Sequence, residues 1–145
     1  MILDLYGGVG LFTAALIDEV GSEGAIDLVE GSKSATADAR RNFAEDSVVT
    51  VHTGDVAKIL PRFSQANVII LDPPREGAGK EVIAECARLL PRTIVYVACD
   101  PAALARDVSY LREHGYALQQ LRAFDLFPMT HHIECVALYE RAEVS

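Results

Sequence analysis

Ile2-Leu3-Asp4-Leu5-Tyr6-Gly7-Gly8-Val9-Gly10-Leu11 opens the chain and decides how the rest of it is read. The apolar run Ile2 to Tyr6 predicts a strand, and Gly7, Gly8 and Gly10 predict a tight turn whose backbone can pass close to a ligand. Leu11 to Val20 then carries apolar residues at helical spacing until Gly21 and Gly24 break it. Strand, glycine turn and helix together form the unit from which ligand-binding parallel sheets are built. Thr13 stands where the dinucleotide fingerprint has its third glycine, so the turn alone does not name a ligand.

The same alternation continues along the chain. Ala25 to Glu30, Val48 to His52, Asn67 to Asp72 and Thr93 to Ala98 read as strands. Lys33 to Ala44, Val56 to Arg62, Gly79 to Leu90 and Ala102 to His114 read as helices. The uninterrupted apolar strands Val68-Ile69-Ile70-Leu71 and Thr93 to Val97 suit the centre of a parallel sheet covered on both faces. Near the C-terminus the rhythm changes: Tyr116 to Phe124 and Ile133 to Tyr139 are two strands joined by a loop containing Pro128, with no helix between them, so one runs antiparallel. The expected fold is α/β, a mostly parallel seven-stranded sheet with an antiparallel strand near the C-terminus and helices on both faces.

Size and composition narrow the function. The 145 residues are half hydrophobic, enough for one core, and residues 1–145 are expected to form a single domain. No apolar stretch reaches bilayer length and Met1-Ile2-Leu3-Asp4 has no signal-peptide flank, so no membrane association and a cytoplasmic location are expected. Cys86, Cys99 and Cys135 lack CxxC spacing and four-ligand arithmetic, which argues against a disulfide framework and against a metal cluster. A net charge of -8 opposes nucleic-acid binding by this chain alone, because phosphate contacts need clustered Lys and Arg.

Open parallel sheets bind ligands beyond the carboxyl ends of their strands, so those ends carry the candidates. Glu30 ends the second strand about twenty residues after the glycine turn, where an acidic side chain can accept from ribose hydroxyls or cap the next helix. Asp55 stands beside an adenine amino group on one reading and is a simple N-cap on the other. Asp72-Pro73-Pro74-Arg75-Glu76-Gly77 follows the fourth strand; two prolines stiffen the backbone and remove two donors, holding Asp72 and neighbouring carbonyls towards a planar substrate. Ala98-Cys99-Asp100-Pro101-Ala102 places a cysteine where a strand hands over to a helix with Asp100 as N-cap and Pro101 at its first position. A helix dipole there favours thiolate, the setting of a nucleophile, although free cysteines also serve as inert buried residues. Glu134 interrupts the apolar strand Ile133-Glu134-Cys135-Val136-Ala137-Leu138 either as an exposed strand end or as a base with a raised pKa. His131 and His132 point to opposite sides of a strand, which favours a loop-edge role over joint ligation of a metal.

These segments, in order and across essentially the whole chain, resemble the RNA uracil-5-methyltransferase family, whose catalytic domains use S-adenosylmethionine on a Rossmann-like fold. Asp4 to Gly10 resembles its cofactor loop, Asp72 to Gly77 its fourth motif, Val97 to Ala102 with Arg106-Asp107 its nucleophile motif, and Phe127-Pro128-Met129-Thr130-His131-His132-Ile133-Glu134 its general-base motif. The resemblance implies cofactor roles for Tyr6, Gly8, Gly10, Glu30, Asp55 and Asp72, Cys99 as nucleophile and Glu134 as base. It implies transfer of a methyl group to C5 of a uridine in rRNA or tRNA through a covalent Cys99 adduct at C6.

Three departures stand out. Gly7 replaces a common cysteine. Asp100 replaces an asparagine, and its carboxylate is expected to disfavour a Cys99 thiolate. The family's upstream RNA-binding barrel, substrate-contacting region and glutamine-bearing segment have no counterpart here, so RNA is expected to be held through those missing parts. Two other readings remain open: an amino-group methyltransferase, because Asp-Pro-Pro also occurs in loops that act on adenine or guanine, and a non-catalytic cofactor-binding module.

Overall fold

In the computed structural model, residues 1–126, 129–130 and 133–142 are described; Phe127, Pro128, His131 and His132, and with them the loop-edge reading of the two histidines, lie outside. Five strands, β1 (Ile2–Leu5), β2 (Ile26–Glu30), β3 (Val49–Thr53), β4 (Val68–Leu71) and β5 (Thr93–Ala98), pair in parallel. Between and after them run α1 (Leu11–Val20), α2 (Lys33–Asn42), α3 (Val56–Ile59), α4 (Gly79–Arg88) and α5 (Pro101–Glu113), followed by β6 (Tyr116–Phe124) and β7 (Glu134–Arg141).

The order across the seven-stranded sheet is β3-β2-β1-β4-β5-β7-β6. From β1 the sheet grows through β2 and β3 on one side and through β4 and β5 on the other, so the order reverses between β1 and β4. Their carboxyl ends open the crevice in which doubly wound sheets bind ligands. Helix α5 carries the chain from β5 to the sheet edge as β6, two places away, and the return strand β7 fills the slot antiparallel to both neighbours. The expected antiparallel strand is therefore β7.

The apolar runs account for the core. Leu3, Leu5, Ile69, Leu71 and Ile94 are fully buried with Ile83 and Cys86 of α4 and Leu111 of α5. On the other face Leu28 packs with Ala39 and Phe43. Each fully buried Leu or Ile contributes roughly 1.5–3 kcal/mol, which makes this two-sided burial the reason the sheet forms. Element ends differ from expectation where local chemistry intervenes. The helix expected over Val56 to Arg62 is one α-helical turn followed by a 3₁₀ turn at Leu60–Arg62, because Pro61 has no N–H to continue the ladder. Helix α4 stops at Arg88, and Leu90 turns into the left-handed region at φ 53°.

Candidate active site

The glycine turn after β1 is built on a buried carboxylate. Asp4, fully buried in β1, accepts at Oδ2 from the Thr13 amide at 3.1 Å and the Thr13 hydroxyl at 2.7 Å, while its Oδ1 has no partner. Thr13 therefore does work that a third glycine does not: it ties the first turn of α1 back to β1. Burial raises the Asp4 pKa, and the two Thr13 bonds oppose that rise.

Around this anchor Tyr6 adopts φ 61°, a left-handed conformation unusual for a tyrosine, and the Gly7 amide donates to the Val29 carbonyl. The Gly8 amide donates to Glu30 Oε2 at 3.1 Å, and the Ser32 amide to Glu30 Oε1 at 2.7 Å. The carboxylate ending β2 thus orders the glycine turn and its own loop at once. Gly8 itself faces open space. Gly10 turns the other way: at φ 96° a Cβ would come within 2.2 Å of the Phe43 ring, so this glycine permits packing of the turn on the C-cap residue of α2.

A cavity of about 970 Å³ follows the strand ends, with Tyr6, Glu30, Asp55, Asp72 and Pro73 in its wall. Asp55 is the N-cap of α3, its Oδ1 accepting from the Ala57 amide at 2.9 Å, and it also lines this cavity. Asp72 is anchored by its amide to the Leu5 carbonyl at 3.2 Å. Burial first, then the charges of Glu134 and Asp4, pushes its carboxyl up to about 6.

Asp72 also lines a second, mostly apolar cavity of about 400 Å³ with Phe12, Val97, Phe124, Leu126, Glu134 and Val136. Asp72 is the residue that the two cavities share. Phe12 and Phe124 are aromatic walls that the sequence reading passed over; Phe12 lies in the first turn of a helix beginning at a glycine loop, which is the signal that marks it.

Register joins the remaining pair. In the antiparallel β5–β7 ladder Val97 pairs with Val136 and Ala98 with Cys135, the last pair, so Cys99 and Glu134 are the residues that follow and precede that pair at the end of the ladder. The half-buried Cys99 does not have the lowered pKa that a helix dipole alone predicts. Burial first, then the Glu134 charge, pushes the thiol up, Asp72 adds to this, and Arg75 pulls the other way. Asp100 is otherwise engaged: its Oδ1 accepts from the Ala102 and Ala103 amides at 2.7 and 3.0 Å, which holds its own pKa down. The carboxylate opposing a thiolate is that of Glu134, across the ladder, ahead of any other charge.

Cys86 and Cys135 are buried. Among the described residues no group of three or more His, Cys, Asp and Glu side chains is placed to hold a metal ion, and no helix is long and apolar enough to cross a membrane.

Comparison with known proteins adds the lineage. Residues 55–142, which include Asp72, Cys99 and Glu134, match the sequence model of a family described as tRNA (uracil-5-)-methyltransferase. A Streptomyces avermitilis protein described as an uncharacterized RNA methyltransferase is 54% identical over 144 residues, covering 98% of this chain and 33% of its own. The crystal structure of Pyrococcus abyssi tRNA (uracil-54, C5)-methyltransferase in complex with S-adenosyl-L-homocysteine superposes with a TM-score of 0.78 at 31% identity, over 95% of this chain and 33% of that one. NSun6 from Pyrococcus horikoshii shares the fold, with a TM-score of 0.79 at 18% identity over 99% of this chain and 48% of that chain. This chain therefore spans about a third of the length of the curated relatives it matches.

Proposed function

The chain belongs to the tRNA (uracil-5-)-methyltransferase family, and from that premise we propose that it is a single catalytic domain that methylates C5 of a uridine in RNA with Cys99 as nucleophile and Glu134 as base. The observation that carries the proposal is that the two cavities share Asp72 in their walls, with Cys99 and Glu134 both at the end of the β5–β7 ladder. A methyl donor and a planar base need adjoining sites, and a thiol and a carboxyl need to face the same base.

The larger cavity suits S-adenosylmethionine by its donor set. Glu30 ends β2 as an acceptor for ribose hydroxyls, Asp55 stands one strand further on for an exocyclic amino group, and Asp72 supplies a carboxyl near the catalytic end. Tyr6 completes the wall. When bound, the cofactor supplies an electrophilic methyl group carried on a sulfonium.

The smaller cavity suits a flipped pyrimidine, with Phe12 and Phe124 as apolar walls and Asp72 and Glu134 as polar edges. Uracil C5 is a weak carbon nucleophile, and addition of the Cys99 thiolate to C6 changes that: a C–S bond forms and the C5–C6 π pair moves onto the carbonyl as an enolate. With the cofactor bound, C5 would take the methyl group as its bond to sulfur breaks and a neutral thioether is left. Glu134 removes the proton left on C5, the C5–C6 double bond returns and the C–S bond breaks, restoring the thiolate. Asp72 and Glu134 line the smaller cavity together with Val97, two residues before Cys99 at the end of β5, and holding base, thiol and carboxyl at this strand end supplies the orientation such a sequence needs.

With a net charge of -8, the chain is poorly suited to grip phosphates, so we assign the hold on RNA to further parts of a longer protein, in keeping with the one-third coverage of its relatives. The test is methylation of RNA by the full-length protein. Cys99→Ala is expected to abolish 5-methyluridine, and retained activity in that variant sinks the mechanism. An amino-group methyltransferase is indifferent to that substitution, so the same assay separates the two chemistries.

A further inference from the structure

We propose that Asp107 and Arg106 form a clamp that fixes the segment from Arg75 to Gly79 against α5, the helix that follows Cys99, and that both are positioning residues for the reacting thiol. The proposal rests on reading Cys99 as that thiol; the geometry of the clamp does not.

Asp107 is fully buried in the second turn of α5. A carboxylate there is costly unless every oxygen is served, and here both are. Its Oδ2 accepts from the Ala78 amide at 2.7 Å, the Gly79 amide at 3.2 Å and the Tyr96 hydroxyl at 2.6 Å. Its Oδ1 accepts from Arg106 Nε and Nη2 at 3.2 and 3.0 Å. Arg106 Nη2 also donates to the Glu76 carbonyl. Ala78, the N-cap of α4, offers no side-chain acceptor, so Asp107 serves the start of α4 from another helix.

Gly77 shows how tight the arrangement is. It has φ 81°, and a Cβ there would lie 2.6 Å from Asp107 Oδ2 and 2.7 Å from Arg106 Nη2. Residues 76 to 79 are thus each held or pressed by the Arg106–Asp107 pair.

What the clamp positions is Arg75. Asp72 keeps its own anchor on the Leu5 carbonyl, whereas Arg75 lies between that anchor and the clamp. Among the described residues, the charged groups acting on Cys99 are Glu134 from β7 and Asp72, both opposing the thiolate, and Arg75, which supports it. Asp100, adjacent in sequence, is occupied at the α5 amides. Loosening the clamp frees the loop that carries Arg75 and leaves both carboxylates in place, so the thiolate loses a cationic support.

The test is the pH profile of Cys99 alkylation by iodoacetamide, mapped by mass spectrometry, in the native chain. Cys86 at 0% and Cys135 at 6% exposure stay protected, so Cys99 is the reporter. The profile has two independent readings: its midpoint reports charge around the sulfur, and its high-pH plateau reports access. Arg106→Met and Asp107→Asn are expected to raise the midpoint and slow alkylation at pH 7.5 by about threefold, the effect of moving one charge away through a partly aqueous path. Arg112→Met, the same charge change on the same helix away from the loop, is expected to leave the midpoint where it was.

A midpoint that stays or falls in Arg106→Met overturns the proposal, as does an equal rise in Arg112→Met. A change confined to plateau or melting temperature means a structural role only, and equally overturns it. Should Asp107→Asn fail to fold, Arg106→Met decides alone, since its side chain is 47% exposed. Failure of the parent protein to methylate a uridine counts against the proposed function and leaves this test intact.

Discussion

Replacing Glu134 with Gln separates the two roles assigned to the residue, because it should make Cys99 more reactive while stopping turnover. Cys99 and Glu134 flank the last pair of the β5–β7 ladder, and residues facing each other across such a ladder have Cβ atoms about 5 Å apart, which sets the scale of the interaction. Two unit charges at that distance repel by about 3 kcal/mol at an effective dielectric of 20 and about 0.8 kcal/mol at 80. Both residues are half-buried, which favours a value between the limits, about 1–2 kcal/mol. The sign follows from the charge: a thiolate beside a carboxylate is disfavoured, so removing the carboxylate lowers the thiol pKa. In Glu134→Gln the alkylation midpoint of Cys99 should therefore fall, raising the rate near neutral pH several-fold, while formation of 5-methyluridine by the full-length protein should cease because no base removes the C5 proton. An unchanged or raised midpoint would refute the placement of the carboxylate against the sulfur. Normal turnover would refute its role as base.

Other expectations follow from the same geometry. Asp72 titrates near 6 and serves the larger cavity as a carboxylate, so affinity for S-adenosylhomocysteine measured by calorimetry should rise with pH through about 6 and level off above it, and Asp72→Asn should flatten the curve. Thr13→Val removes the hydroxyl bond to buried Asp4 and should cost about 1.5–3 kcal/mol in urea unfolding near neutral pH. Because burial raises the Asp4 pKa, the folded state favours the protonated acid; this contribution is full below the unfolded value of 3.8 and is lost as pH rises through the folded one, so the Thr13→Val deficit should shrink in acid. Asp100→Asn preserves an acceptor for the α5 amides and should leave the Cys99 midpoint unmoved, whereas Asp100→Ala should lower the melting temperature through loss of the cap.

The fold was legible because its signals are local. Strands buried on both faces read as continuous apolar runs, and Val68 to Leu71 could hardly be anything else; glycines at 7, 8 and 10 and the Asp100-Pro101 start of α5 mark element ends through backbone chemistry alone. The missing helix between β6 and β7 revealed an antiparallel strand. That β7 inserts between β5 and β6 was not readable, since strand order is decided by pairing between distant segments.

The site divides along the same line. Cys99, Asp72 and Glu30 fall at strand ends, where topology puts ligands, and so could be named from sequence. Asp4 and Asp107 could not, because nothing local distinguishes a fully buried carboxylate with partners nine or 29 residues away from an exposed one. The environment of Cys99 was misjudged for a related reason. A helix start and a neighbouring Asp100 are visible in sequence, whereas the opposing Glu134 is 35 positions away and acts only through the register of the ladder.

The central claim is that Cys99 adds to C6 of a uracil, and RNA carrying 5-fluorouridine at the target position tests it most directly. Fluorine at C5 cannot be removed as a proton, so the adduct cannot resolve after methyl transfer. With S-adenosylmethionine present, the full-length protein should form an RNA adduct that survives denaturation, mapped to Cys99 and absent from Cys99→Ala. An adduct that persists in Cys99→Ala, or a wild-type protein that methylates uridine in normal RNA yet traps none of the fluorinated substrate, would contradict the account.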